Sequence, residues 1–371
     1  MVGAVGTCSA RLPGGLGRIV RIAAGSEGPL QEQPIGFLSH RDSRVAYAAT
    51  GRGPLLLLDL GPAHHLDAFW RHAGYRNLVQ RLARRFTVVR WDRPGFGLSD
   101  RHTVDLSPSG ELALIERVVD VLAHDEVAIV AAGGAGPGMV RFAARHPGRV
   151  SRLALFGATA AGNQRSSELN GAAARALADF AAPAIHHVVA AALAAGSEPE
   201  EGPWLASALE ASASVATMVE VSARMAEVDV TDDAARVQAP TLVLHRTGDA
   251  VVEPGWGRAL AGLIPGAEFV TVAGSSHLLY SGDTEPVIAA LLSFLTGEGE
   301  PASLSPRELE VARLVTLGLT NAEIGRRLAI RRRTVDAHME HIRSKLGVTS
   351  RARIAAWAVL DRLAGAAHGE A

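Results

Sequence analysis

Residues 304–348 read LSPRELEVARLVTLGLTNAEIGRRLAIRRRTVDAHMEHIRSKLGV. Ser305 followed by Pro306 and, three residues on, Glu308 is a capping-box start for a first helix. Val311, Leu314, Val315 and Leu317 then recur at helical spacing until Gly318 ends it. Thr320 caps a second helix over 321–328 that buries Ile324 and Leu328. In a third helix Val335, Met339, Ile342 and Leu346 fall at i, i+4, i+7 and i+11, so they share one inward face. Arg333, Asp336, Ala337, Glu340, His341 and Ser344 therefore face outward, flanked by Arg332, Thr334, His338 and Lys345. After Ser350 a fourth helix follows, with Ile354, Ala355, Ala358 and Leu363 in an apolar stripe.

This run resembles the helix-turn-helix of the LuxR/NarL family of bacterial transcription regulators, nearly position by position. The resemblance implies an all-α LuxR-type DNA-binding domain over 304–365 whose third helix lies in the major groove of a double-stranded DNA operator, early residues at base edges and basic flanks on phosphates. It also implies a homodimer paired through Ile354, Ala355, Ala358 and Leu363 on a two-fold-related site. An amphipathic helical hairpin that binds another protein is the competing reading. Two positions depart from the family pattern. Arg331 stands where the recognition helix usually has a serine cap. Asp336, Ala337 and Glu340 occupy base-reading positions where lysine, arginine or asparagine is more common; carboxylates accept from the cytosine amino group and are repelled by phosphate, so either the operator is unusual or the affinity is modest.

The net charge of −1 hides an asymmetry. From Pro301 onward twelve basic residues face seven acidic ones, while the preceding chain has 25 basic against 31 acidic. The basic end is the one that resembles a DNA binder, as counterion release demands. A single cysteine, Cys8, excludes a disulfide framework and suits a reducing compartment. Residues 1–34 open MVGAVGTCSARLPGGLGRIV, without a basic n-region or an unbroken apolar core, so the expectation is an unstructured extension and not a signal peptide. The alanine-rich stretch 171–196 is interrupted by Arg175, Asp179, His186 and His187 and broken by Pro183; it reads as helices on a soluble core and not as a membrane span. A cytoplasmic protein with no membrane contact is expected.

Between 35 and 296 short apolar runs alternate with helical patterns, the mark of an α/β domain. Runs at 55–60, 86–91, 127–132, 153–156, 241–245 and 268–272 read as strands, most of them buried and parallel by their near-continuous apolar character. VVRWDRPGFGLSD at 88–100, FAARHPGRVSRLALFG at 142–157, APTLVLHRTGDAVV at 239–252 and VAGSSHLLYSGDTEPVIAALLSFL at 272–295 resemble, in order, the hallmarks of the α/β-hydrolase superfamily. The implied fold class is α/β, an α/β-hydrolase fold with a helical lid at about 160–237. The polar linker GEGEPAS, 297–303, joins it to the helix-turn-helix domain.

The superfamily places a nucleophile on a sharp strand-to-helix turn written G-x-S-x-G. Its spacing back from His146 and Pro147 puts that position at Gly133, within AAGGA at 131–135: the small residues of the turn are present and the nucleophile is not. Asp249 resembles the triad acid and His277 the base, although Asp249 also fits a plain Thr-Gly-Asp turn and His277 a polar loop. One oxyanion donor resembles the residue after Leu60-Gly61, which is Pro62 and has no N–H; the other, Gly134, is intact. No esterase chemistry is expected from this degenerate triad of Gly133, Asp249 and His277. The expectation is instead a pocket bordered by Pro62, His65, Gly133, Gly134 and His277 that senses an unknown small, mostly apolar molecule. His64 and His65 are too few for a metal site, and no cofactor is implied. Two rivals remain. One is a bifunctional regulator and enzyme using only the His277/Asp249 dyad, as a cofactor-free oxygenase, lyase or weak hydrolase. The other is a protein-interaction scaffold.

Overall fold

A computed structural model describes residues 33–101, 105–122, 126–161, 184–297, 304, 306–328, 330–346, 350–351, 354–355 and 358. Residues 1–32 of the expected extension, 162–183 of the expected lid, 298–303 of the linker, and Leu363 lie outside the described residues. The chain divides into two compact units, Met1–Leu295 and Thr296–Ala371.

The first unit is built on one eight-stranded sheet in the order β1-β2-β4-β3-β5-β6-β7-β8. Its strands are β1 Ile35–His40, β2 Ser43–Thr50, β3 Leu55–Asp59, β4 Thr87–Trp91, β5 Val127–Ala132, β6 Val150–Phe156, β7 Thr241–Arg246 and β8 Glu268–Val272. From β4 through β8 all pairings are parallel, and β3, β5 and β7 are buried along their whole length. Successive side chains alternate between two apolar cores. Leu56, Leu58, Val130 and Phe156 enter one, under helices Ala73–Ala83 and Glu285–Thr296 and lid helices Ile185–Leu193, Glu201–Ser212 and Val215–Ala226. Leu57, Val89, Ile129 and Leu155 enter the other, under helices Pro108–Val121, Gly136–Arg145 and Pro254–Leu263. The β1–β2 hairpin is antiparallel, pairs on to β4, and was not anticipated from the sequence. Its two-residue turn carries a left-handed φ of 50° at Arg41, without the glycine or asparagine that usually announces such a turn.

All the functionally suggestive loops leave the carboxyl ends of the parallel strands, where open α/β sheets present their ligand crevice. The loops after β3 and β4 are locked by buried charge. Arg93 Nη2 lies 2.6 Å from Asp59 Oδ2 and 2.9 Å from Glu111 Oε1, and its Nη1 donates to the Gly61 carbonyl at 3.1 Å. The neighbouring Asp92 receives the Leu66 and Leu98 amides and the His64 imidazole. The WDRPG stretch is thus the clamp that fixes the turn at Gly61 and Pro62. Four helices, Ile185–Leu193, Glu201–Ser212, Val215–Ala226 and the short Thr231–Ala234, make up the described part of the lid.

In the second unit helices Pro306–Thr316, Asn321–Arg327 and Arg332–Leu346 enclose Val311, Val315, Ile324, Val335, Met339 and Ile342. Thr320 and Glu323 form a complete capping box, with the Thr320 amide donating to Glu323 Oε2 at 2.7 Å. One sequence expectation is corrected here. Ile354 is fully buried and Ala358 nearly so, inside the unit's own core, with the half-buried Ala355 packed against it. They close that core and do not form a stripe left exposed for a second copy: periodicity identified the apolar face but not what covers it.

Replacing Arg93 by Met should leave Asp59 buried and unpaired and cost roughly 3–5 kcal/mol of stability in the first unit. Urea unfolding measures this directly; a loss below about 1 kcal/mol, the range of exposed pairs, would show the clamp to be dispensable.

Candidate functional site

Strand β5 runs buried to Ala132 in extended conformation and then turns at Gly133, whose φ of +50° lies in the left-handed region. Glycine takes this conformation at no steric cost, and a nucleophile elbow requires it. A Cβ built on Gly133 would stand 2.9 Å from His277 Nε2, nearer than real Cβ atoms come to a neighbour. The imidazole therefore stands partly within the space that a side chain at 133 would need. His277 Nδ1 meets Asp249 Oδ2 at 2.8 Å, and Asp249 Oδ1 accepts the Val251 and Val252 amides at 2.9 and 3.1 Å. Burial pushes the Asp249 carboxyl up, but the hydrogen bond and charge of His277 and the two amides outweigh it, so it stays below the usual carboxylate range. An ionised Asp249 fixes the proton on Nδ1. Nε2 faces Gly133 and makes no hydrogen bond among the described residues.

Two residues missed by sequence reasoning complete this group. Arg246, fully buried at the end of β7, donates to the carbonyls of Ser276 and Asp283 at 3.2 and 3.3 Å and so ties down the loop on both sides of His277. Its signal was a cation ending an otherwise apolar strand. His245 is fully buried, 3.9 Å from Asp249 Oδ2, and its Nε2 has no partner among the described residues. Burial lowers its pKa, outweighing the Arg246 carbonyl and the Asp249 carboxylate beside it.

The expected five-residue pocket separates into three parts. Gly133 and His277 form the group above. Pro62 and Gly134 line a different cavity, of about 180 Å³, which neither Gly133 nor His277 lines. There the Met225 thioether packs on Gly134: a Cβ at 134 would meet Met225 Cε at 1.8 Å and Pro62 Cδ at 3.6 Å. His65 is a helix cap, its Nδ1 accepting the Asp67 and Ala68 amides at 3.2 and 3.3 Å. Its pKa is lowered, chiefly by burial. His64 is buried between Asp92 and Tyr75, 2.8 Å from each. Among the described residues no group of three or more His, Cys, Asp or Glu is placed to hold a metal ion.

On the recognition helix Arg332, Arg333, Thr334, Ala337, Glu340 and His341 are exposed, and His338 is half-buried. The side chains of Ser344 and Lys345 lie outside the described residues. Asp336 is half-buried, and its Oδ1 accepts from Asn321 Nδ2 at 2.7 Å; Asn321 Oδ1 in turn accepts from Arg351 at 2.6 Å, and Arg351 also reaches the Leu319 carbonyl. This network, absent from the sequence reading, ties the second and third helices to the start of the fourth. Asp336 therefore braces the helix as well as facing outward. The Arg331 carbonyl accepts the Thr334 and Val335 amides at 2.9 and 3.3 Å, beginning the recognition helix at the position of the unusual cap.

Comparison with known proteins follows the same division. The family model described as "alpha/beta hydrolase fold" matches residues 54–284, and that described as "Bacterial regulatory proteins, luxR family" matches residues 302–358. The nitrate/nitrite response regulator protein NarL of Escherichia coli K12 is 34% identical over 93 residues, 24% of this chain and 43% of that protein. The chain thus spans less than half the length of this relative. A pyrrolizixenacetamide deacetylase of Xenorhabdus hominickii is 26% identical over 274 residues, 70% of this chain and 97% of that one. Among solved structures, an esterase from Exiguobacterium antarcticum has a TM-score of 0.62 at 18% identity, covering 70% of this chain and 98% of the other. No helix among the described residues is long and apolar enough to cross a membrane.

His245 and His65, together with His40, whose pKa is lowered mainly by burial and next by Arg41, have folded-state values below the ordinary 6.5. As pH falls through about 6.5 the unfolded chain takes up protons that the folded chain refuses, so stability conferred by the neutral rings is lost on that side. The first unit should melt at a lower temperature at pH 5.5 than at pH 7.5. An unchanged or higher melting temperature at pH 5.5 would contradict the assignment of neutral, buried imidazoles.

Proposed function

The chain belongs to the α/β hydrolase fold family and carries a luxR-family DNA-binding regulator domain behind it, and on that premise we propose that the hydrolase-like domain is a sensor that binds a small molecule without turning it over. The single observation that carries this reading is Gly133 at the elbow, with His277 Nε2 2.9 Å from where a Cβ would stand. No side chain there can attack a carbonyl, and loss of the nucleophile alone costs about six orders of magnitude in a triad hydrolase. The oxyanion site is weakened too, since Pro62 has no N–H and one missing donor costs roughly a hundredfold or more. What the pair retains is recognition. With Nδ1 committed to Asp249, Nε2 is the ring atom left to hydrogen-bond a polar group on an otherwise mostly apolar ligand.

In this proposal the protein acts in the cytoplasm as a homodimer on a double-stranded operator, and ligand binding shifts its affinity for that operator. A ligand does this only by binding the two states of the protein unequally. The coupling should be about 1–3 kcal/mol, the usual allosteric range, and operator binding with and without ligand tests it. The intact Asp249–His277 pair favours a second reading, in which the dyad alone abstracts a proton from the bound molecule. Turnover that disappears in His277→Ala would establish that reading over the first.

Short p-nitrophenyl esters should be hydrolysed no faster by the protein than by its His277→Ala variant. Gly133→Ser should restore little, because the new Cβ crowds the imidazole and the oxyanion site remains deficient; recovery to the rate of an ordinary esterase would overturn this account of the site. On DNA, Arg333→Ala should weaken binding and lower the salt slope by about one, read by titrations at several salt concentrations. An unchanged slope would remove Arg333 from the phosphate contacts.

A further inference from the structure

The cavity of about 180 Å³ beside Gly134 has a chemistry of its own. Four prolines, Pro62, Pro94, Pro108 and Pro137, form much of its wall. Pyrrolidine rings are rigid, so this apolar space is preformed and not dependent on side-chain rearrangement. Its size can be read against an engineered apolar cavity of about 150 Å³, which binds benzene; the present one is large enough for a single substituted ring.

Charge narrows the class further. Each arginine on the lining already has a carboxylate: Arg93 has Asp59 and Glu111, Arg141 has Asp233, Arg41 has Asp105, and Arg224 has Glu227. At the buried Arg93 and Arg141 an anionic ligand would have to displace a carboxylate and leave it uncompensated, and a cationic ligand would have to displace an arginine; the Arg41 and Arg224 pairs are exposed at the rim, where water screens them. A neutral ligand disturbs none of them. Two lining side chains are polar, buried or nearly so, and without a hydrogen bond among the described residues: His40, at the end of β1, and Ser43, at the start of β2. The uncharged imidazole of His40 has a donor and an acceptor to offer a ligand. The opposite wall is the end of the lid, with Val221 and Met225 on helix Val215–Ala226 and Val228 just beyond it. A molecule in this cavity therefore touches the sheet edge and the lid together.

We propose that this proline-walled cavity is a second small-molecule site, distinct from the Asp249–His277 pair, for an uncharged single-ring compound bearing a hydroxyl or carbonyl that His40 binds. It goes beyond the sensor reading of the dyad and does not depend on it. Occupancy fills the space between lid helix Val215–Ala226 and the β1–β2 hairpin, which holds the lid against the sheet.

Phenol and benzene serve as probes, titrated into the full-length protein by calorimetry, with lid protection followed by hydrogen exchange. The expected result is one saturable phenol per chain, lost in Leu114→Trp, which fills the cavity, and kept in His277→Ala. His40→Ala should weaken phenol about fivefold, the value of one neutral hydrogen bond, and leave benzene unchanged. Val228→Phe provides a second cavity-filling variant should Leu114→Trp not fold, and phenol should protect amides of 221–228 from exchange. Absence of saturable phenol binding would overturn the proposal. So would binding that survives both filling variants, and binding lost in His277→Ala would return the probe to the dyad. In every case turnover and the dyad's own ligand are measured separately, so failure of either reading leaves the other standing.

Discussion

The left-handed turn at Gly133 is the constraint on which the carboxyl edge of the sheet depends. It ends a fully buried parallel strand and starts a helix within three residues, so it fixes where any side chain at that position must point. The direction is toward His277 Nε2. Around it the rest of the edge is already committed: Arg246 tethers the loop on both sides of the imidazole, Asp249 orients its far nitrogen, and Arg93 clamps the turn that carries Pro62. The elbow is thus held among buried polar contacts while Gly133 itself carries no side chain. Under the sensor proposal these orienting contacts supply rigid hydrogen-bonding capacity, which is what a binding site needs.

Much of this was legible in the sequence because it rests on patterns with a physical period. Near-continuous apolar runs announced the parallel strands, and the elbow was found by spacing from His146 and Pro147. The capping of the second module helix by Thr320 was equally local. What escaped was non-local or unmarked. The β1–β2 hairpin has mixed burial and turns on Arg41 instead of glycine, so it carried no turn signal. His245 and Arg246 sit in a strand whose apolar neighbours masked them. Asn321, Asp336 and Arg351 are 15 and 30 residues apart and meet only after three helices pack. Ile354 and Ala358 show the limit of periodicity most plainly, since an apolar face says that something covers it and not whether that cover is the same chain.

The same limit applies to the pocket. Homologous spacing grouped Pro62, His65, Gly133, Gly134 and His277, yet adjacent glycines in a tight turn face different spaces. Gly133 faces the imidazole and Gly134 faces Met225 and the proline-walled cavity. His65 was assigned to the pocket because it follows the third strand, and it spends its acceptor on the start of a helix instead. Side-chain direction, which spacing alone does not supply, decides all three.

The central claim is that the hydrolase-like domain binds a small molecule and leaves it unchanged. It is tested most directly by mass spectrometry on full-length protein recovered from the cells that make it. Any compound released on denaturation is added back to fresh protein and to His277→Ala, incubated for hours, and weighed again. The account predicts a compound that binds the folded protein and returns with its mass unchanged from both. A mass change produced by the unaltered protein and absent with His277→Ala would contradict it.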